Sequence, residues 1–347
     1  MTVHDLVASS DRKSVYVCYT GGTIGMQKSR RGYIPEPGFL DEQMNAISVL
    51  QGRRMPRWVI HEFEPILDSS NMTPSDWIKV GEDIFTHYDD YDGFIVLHGT
   101  DTMSYTASAL SFMLRGLRKP VVFTGSQIPL VEVRNDAREN LITSLLLAAE
   151  SRIPEVILYV GDTLLRGNRS TKVSAERFHA FESPNYPPLG HAGVDLQIYR
   201  DRLLHLPSEP LQLDRVGGAR VADIRLYPGI TPDLVRQFLA PPIDGAVMHT
   251  YGLGNAPDDP DFLAALREAS DRGVVVVNCT QCLEGSVDME GYATGSGLLD
   301  AGVLSGYDMT PEAALTKLYW LLSLRLPRTE VVRLMQTNVR GELTEPA

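Results

Sequence analysis

Apolar positions along the chain follow two alternating rhythms. Short runs rich in β-branched and aromatic residues occur at Val15–Tyr19, Trp58–Phe63, Phe94–Leu97, Val121–Thr124 and Val156–Val160. Between them lie segments with helical spacing, predicted from Thr73 through His87, over Thr102–Arg115 and over Asp136–Glu150. Thr73-Pro74-Ser75-Asp76 reads as a helix N-cap, a proline at the first helical position and an acidic residue at the third. Strands spaced by helices imply βαβ units and a mostly parallel sheet. From Phe181 to about Asp214 the regularity fails, because the prolines of Ser183–Pro188 exclude both a helix and a central strand. A second alternating run then begins. Val221–Leu226, Gly245–His249 and Val274–Val277 are predicted strands, with helices opening at Thr231-Pro232 and covering Asp261–Arg272 and Pro311–Leu324. The pattern predicts an α/β protein of two domains with mostly parallel sheets. A larger, flavodoxin- or Rossmann-like N-terminal domain spans 1–190, a linker 191–215 and a smaller C-terminal α/β domain 216–347.

The length of 347 residues agrees with two domains at roughly 150 residues each. Against 32 Lys and Arg stand 44 Asp and Glu, a net charge of −12, which disfavours a protein that grips nucleic-acid phosphates. Three cysteines, Cys18, Cys279 and Cys282, make no disulfide framework and point to a reducing compartment. Met1–Lys13 is polar and does not read as a secretory signal, and no apolar stretch reaches the ~18 residues of a membrane span. The expected location is the cytoplasm, with neither a membrane nor a nucleic acid as partner.

In open α/β sheets ligands bind beyond the carboxyl ends of the strands. A site is therefore expected in the turns after Tyr19, Leu97, Thr124, Val160, His249 and Asn278. Thr20-Gly21-Gly22-Thr23-Ile24-Gly25 continues from the first strand and offers two hydroxyls around two glycines. It fits a tight turn or a backbone cradle for a ligand, and matches neither GxxxxGK[ST] nor GxGxxG. His98-Gly99-Thr100-Asp101-Thr102 sits where a strand gives way to a helix, so Thr100 and Asp101 are either helix caps or a reactive pair. Lys172 is either a solvated charge or, facing Asp101, an amine that relays a proton. Asp68-Ser69-Ser70-Asn71-Met72 is either an Asx/Ser turn or a cluster of donors and acceptors suited to an amino acid. Cys279-Thr280-Gln281-Cys282 raises redox and zinc readings, but no second ligand pair accompanies it. A G-x-S-x-G elbow and an HExxH motif are both lacking in the sequence.

Together these segments resemble the two signatures of the bacterial asparaginase/glutaminase family. Gly125-Ser126-Gln127 and Lys172 fit the same order. His87–Gly93, Tyr251–Pro257, Gly291–Gly295 and Arg340–Thr344 resemble the cytoplasmic type I L-asparaginases, so the likeness spans nearly the whole chain. The resemblance implies hydrolysis of the side-chain amide of L-asparagine through an acyl-enzyme, with no metal or organic cofactor. It implies Thr23 as nucleophile with Tyr33 paired to it, and Thr100, Asp101 and Lys172 as a second triad. Gly22, Asp68, Ser69, Ser70, Thr100 and Asp101 would hold the substrate. A regulatory asparagine site would fall on Thr171, His249, Thr280 and Cys282. His249 stands where related enzymes can carry an arginine, which would weaken that site or make it pH-dependent. A homodimer or a dimer of dimers is expected. A glutaminase, a dual-specificity amidase, an amidotransferase subunit acting on misacylated tRNA (disfavoured by the acidic charge) and a non-catalytic amino-acid sensor are the competing readings, since one methylene is worth only about 1–3 kcal/mol of discrimination.

Overall fold

The computed structural model describes residues 12–30, 32–150, 152–289 and 293–345. The polar N-terminal stretch lies outside them up to residue 11, as do Gly291 and Tyr292 of the Gly291–Gly295 stretch. The chain forms two compact units: Met1–Ser183 with Pro187–Leu213, and Pro184–Tyr186 with Asp214–Ala347.

The first unit runs β1 (Ser14–Gly21), β2 (Met26–Ser29), β3 (Gly32–Pro35), α1 (Phe39–Ala46), β4 (Arg57–Leu67), α2 (Pro74–Thr86), β5 (Gly93–Leu97) and α3 (Met103–Met113). It continues with β6 (Val121–Thr124), α4 (Ala137–Ala148), β7 (Val156–Val160), β8 (Thr163–Arg166), β9 (Gly190–Ala192) and β10 (Leu196–Ile198). One eight-stranded sheet has the order β10-β9-β8-β7-β6-β5-β1-β4. Strands β4, β1, β5, β6 and β7 are parallel, while β8, β9 and β10 each pair antiparallel with the preceding strand. The central strands read as unbroken apolar runs because both their faces are covered: every residue of β5, β6 and β7 is buried. The N-cap expected for α2 forms, with the Thr73 N–H donating to Asp76 Oδ2 at 3.0 Å. Residues 191–213, expected as linker, lie in the first unit. They carry the end of β9 and all of β10, and Gln212–Leu213 pairs with Leu114–Arg115. These pairings are two or three residues long, too short to show a hydrophobic period.

The second unit comprises β11 (Val221–Arg225), α5 (Pro232–Phe238), β12 (Gly245–Thr250), α6 (Pro260–Asp271), β13 (Val275–Thr280), α7 (Ala293–Asp300), β14 (Leu304–Ser305), α8 (Pro311–Ser323) and α9 (Arg328–Met335). Its four-stranded sheet, β11-β12-β13-β14, is parallel throughout. Ile224, Met248 and Val276 pack with Phe262, Leu266 and Leu298 in its core. The Arg340–Thr344 stretch closes against α8. Lys317 and Glu342, both with fully buried side chains, form an ion pair. The Lys317 ammonium also donates to the carbonyls of Met335 (3.1 Å) and Thr337 (2.6 Å). Glu342 in turn accepts from the N–H groups of Val339 and Arg340.

Candidate functional site

The site grows from the strand order of the large sheet. From β1 the chain moves to one neighbour, β4, and then to the other, β5, and on through β6 and β7. The order therefore reverses at β1, the point where an open parallel sheet leaves a crevice at its carboxyl edge. Three of the sequence segments are the continuations of β1, β4 and β5 at that edge. At that edge Tyr19 lies opposite Leu97, and after an irregularity in the β1–β4 pairing Gly21 lies opposite Leu67.

The turns meet with almost no side chain between them. A Cβ on Gly22 would lie 2.6 Å from the Gly99 nitrogen, and one on Gly99 would lie 2.4 Å from Ser69 Oγ. Gly125, after β6, approaches the His98 carbonyl in the same way, at 2.4 Å. Gly22 has φ of 97°, a left-handed value that glycine alone adopts without strain. Hydrogen bonds tie the turns together. The Thr20 hydroxyl donates to the Leu97 carbonyl (3.0 Å), and the Thr102 hydroxyl to the Ser69 carbonyl (2.7 Å). The two glycine-bearing segments and the Asp68 turn thus form one assembly.

Thr100 and Asp101 precede the helix without capping it, since the N-cap is Thr102. They meet Lys172 instead. Its ammonium donates to Thr100 Oγ1 at 2.9 Å and to Asp101 Oδ1 at 2.7 Å. Of the two readings of Lys172, the structure gives the paired one: its side chain is 20% exposed, against 63% for Asp101. Local packing explains the meeting. The turn Gly167–Arg169 lies against α3, where a Cβ on Gly167 would come within 3.3 Å of the Ala107 methyl. Ser104 and Ser170 then touch through their hydroxyls at 3.3 Å. Small residues on both sides let this turn approach the helix and deliver Lys172 two residues later.

Thr23 opens a short turn, Thr23–Gly25, and is half-buried. Its hydroxyl makes no hydrogen bond among the described residues. Asp68 is committed to its own turn, with Oδ1 accepting from the Ser70 N–H (2.9 Å) and hydroxyl (2.8 Å). Tyr33, on β3, is 43% exposed and donates to Glu132 Oε1 at 2.7 Å. That carboxylate raises the Tyr33 pKa, so in this arrangement the phenol is a proton donor. Nothing in the sequence marks Glu132: it lies 99 residues further along, in no motif. Asp136 is a second such residue. It holds the loop after β6 by accepting from the N–H groups of Gln127 and Ile128.

The proposed regulatory residues divide between the units. Thr171 belongs to the first, and His249, Thr280 and Cys282 to the second. His249 Nε2 lies against the carboxylate of Asp223 on the neighbouring strand. The Thr280 hydroxyl donates to the Gly252 carbonyl at 2.6 Å and accepts the Cys282 N–H at 3.0 Å. Cys279 is buried and its thiol is pushed up to about 12 by that burial, whereas Cys282 is exposed. A buried, protonated thiol is a poor redox partner.

Two domain families match the chain almost end to end: "Asparaginase, N-terminal" over residues 14–204 and "Glutaminase/Asparaginase C-terminal domain" over residues 220–335. The chain belongs to the asparaginase family, and it is an amidohydrolase. It is 52% identical over 338 residues to L-asparaginase 1 of Escherichia coli strain K12, covering 96% of this chain and 98% of that one. It is 37% identical to an L-asparaginase of Thermococcus kodakarensis, over 94% of this chain and 97% of the relative. The crystal structure of L-asparaginase I from Vibrio cholerae superposes with a TM-score of 0.90 at 48% identity, covering 96% of this chain and all of the other. Among the described residues no helix is long and apolar enough to cross a membrane.

Proposed function

We propose that the protein hydrolyses the side-chain amide of L-asparagine to L-aspartate and ammonia. The observation that carries this reading is the Thr100–Lys172–Asp101 contact beside the Gly22–Gly99 turns at the sheet's switch point. The Thr23 hydroxyl adds to the amide carbon, and its proton passes to the departing nitrogen. Collapse of the tetrahedral oxyanion breaks the C–N bond, releases ammonia and leaves an ester on Thr23. Water, polarised at Thr100 by Lys172 and Asp101, adds to the ester. The second collapse frees aspartate and returns a proton to Thr23. Both oxyanions need donors, and backbone N–H groups near Thr100 supply them. Asp101 suits the substrate ammonium. Gly22 and the Asp68–Ser70 turn form the remaining wall, with Asp68 acting through the shape of that turn. Tyr33 serves Thr23 only after giving up Glu132. No metal or organic cofactor enters these steps. The active assembly in this reading is a homodimer or a dimer of dimers, acting in the cytoplasm.

Ammonia release from asparagine and from glutamine over a concentration series tests the assignment. Turnover of asparagine well above that of glutamine is expected. Faster turnover of glutamine would replace it with a glutaminase, and binding without ammonia release with a sensor. The same series at pH 6 and pH 8 tests regulation at Thr171, His249, Thr280 and Cys282. The engagement of His249 by Asp223, and of the Thr280 hydroxyl by its own loop, favours hyperbolic curves. A sigmoidal curve at either pH, abolished by substitution of Thr280 or Cys282, would support a second asparagine site.

Lys172→Met is expected to lower kcat by about 10²–10⁴-fold, the usual contribution of a positioned acid–base group. KM should change far less. An unchanged kcat would remove Lys172 from the reaction.

A further inference from the structure

We propose that His98 is a positioning residue for the reaction, fixing the direction in which the Thr100 backbone N–H points. The inference rests on the asparaginase reading, in which N–H groups near Thr100 stabilise the oxyanion. His98 directly follows β5 and is wholly buried. Burial drives its pKa down to about 4, so the imidazole is neutral wherever the enzyme would work.

A neutral imidazole has one donor nitrogen and one acceptor nitrogen, and its surroundings decide which is which. Nδ1 lies 2.7 Å from the Gly99 carbonyl, which can only accept, so Nδ1 carries the hydrogen. Nε2 is then a bare acceptor, and the Thr106 hydroxyl, 2.9 Å away, donates to it. Thr106 is itself anchored in the first turn of α3, where its N–H donates to the Thr102 carbonyl at 3.1 Å. A continuous relay of hydrogen bonds thus runs from the helix through the ring to one peptide oxygen.

That oxygen belongs to the Gly99–Thr100 peptide. The unit is planar and trans, so its C=O and N–H point in opposite directions. Holding the Gly99 carbonyl toward His98 therefore aims the Thr100 N–H away from the core. Glycine is where such a constraint is needed, because without a Cβ the peptide on either side rotates most easily. Packing of Gly22 and Ser69 against Gly99 limits where the residue can move, and the imidazole limits how its peptide turns. Filling the space would need no nitrogen at all. A phenyl ring would occupy it without the cost of burying two polar atoms.

Three variants test this, assayed on asparagine alongside the wild-type chain. His98→Phe keeps a ring and removes the donor. His98→Asn keeps a donor near the Nδ1 position. Losing one oxyanion donor costs about 10²–10³-fold in kcat, so His98→Phe is expected to lose about 10²-fold with KM within about threefold. His98→Asn should recover kcat to within about tenfold of wild type. Should His98→Phe fail to fold, Thr106→Val takes its place, with a kcat loss of about tenfold at constant KM. A merely structural histidine would give a different pattern. Both His98 variants would then lose activity in step with melting temperature, with no recovery in His98→Asn, and that result overturns the proposal. So would wild-type kcat in His98→Phe, or in Thr106→Val where that variant stands in. Absence of ammonia release by the wild-type chain itself would overturn the underlying reaction instead, and is read separately.

Discussion

Thr23→Ala is expected to lower kcat by about 10⁴-fold or more while leaving the folded state nearly as stable as before. Both halves stem from where Thr23 sits. It lies at the start of the turn after β1, half-buried, with a hydroxyl that no protein group uses among the described residues. Truncation therefore strands no buried partner, and the expected change in stability is small, on the order of 1 kcal/mol or less. A threonine hydroxyl is a weak nucleophile that needs an activating partner, and in the proposed reaction nothing else in the Thr20–Gly25 turn offers a hydroxyl at the same place. Thr20 cannot substitute, since its hydroxyl is buried and donated to Leu97. Steady-state ammonia release with a melting curve on the same sample checks both halves. Turnover near the wild-type rate would remove Thr23 as nucleophile.

The largest stability effect is expected far from that site, at Glu342. Glu342→Ala should destabilise the protein by about 3–5 kcal/mol, because it leaves the Lys317 ammonium buried and without its counter-charge. Burial already lowers the Lys317 pKa, and Glu342 is what opposes that shift. The same truncation also releases the N–H groups of Val339 and Arg340. Denaturant unfolding of the variant, monitored by a probe in the second unit, measures the loss. A change below about 1 kcal/mol would show that the pair does not hold the C-terminal stretch in place. The motif Arg340–Thr344, legible in the sequence only as a family likeness, thereby has a structural use.

The strands that the sequence made legible are those buried on both faces. Phe94–Leu97, Val121–Phe123 and Val156–Val160 form largely apolar runs, and each strand appears where expected. The hairpin β2–β3 is not legible because every residue of β3 is exposed, so it has no hydrophobic period to read. Lys317 lies on α8 among apolar residues, and nothing local says that its charge is buried rather than solvated. In the site, glycine-bearing turns at strand ends are visible in the chain, and the residues after Leu97 fit a cap and a reactive pair equally well. The structure makes Thr102 the cap and sets Lys172, 71 residues from Asp101, against the pair, brought near by the close approach of Gly167 to α3. Tertiary packing of that kind leaves no periodic trace in the chain. The partners of Tyr33 and Tyr16 are hidden for the same reason. Tyr16, Cys18 and His61 all converge on Asp83, from strands that the sequence shows and a pairing that it does not.

The close contact of Gly22, Gly99 and Ser69 also bears on how such an enzyme could be re-tuned. Where turns pack this closely, these two positions have little room to vary: a side chain added at Gly22 collides with the backbone at Gly99, and one added at Gly99 collides with the Ser69 side chain. In the proposed reaction, changes in substrate range are better sought where side chains rather than glycines meet, such as the hairpin bearing Tyr33 and the loop bearing Glu132, whose side chains are hydrogen-bonded at 2.7 Å. Libraries directed there would sample chemistry, whereas libraries directed at the glycines would mostly sample misfolding.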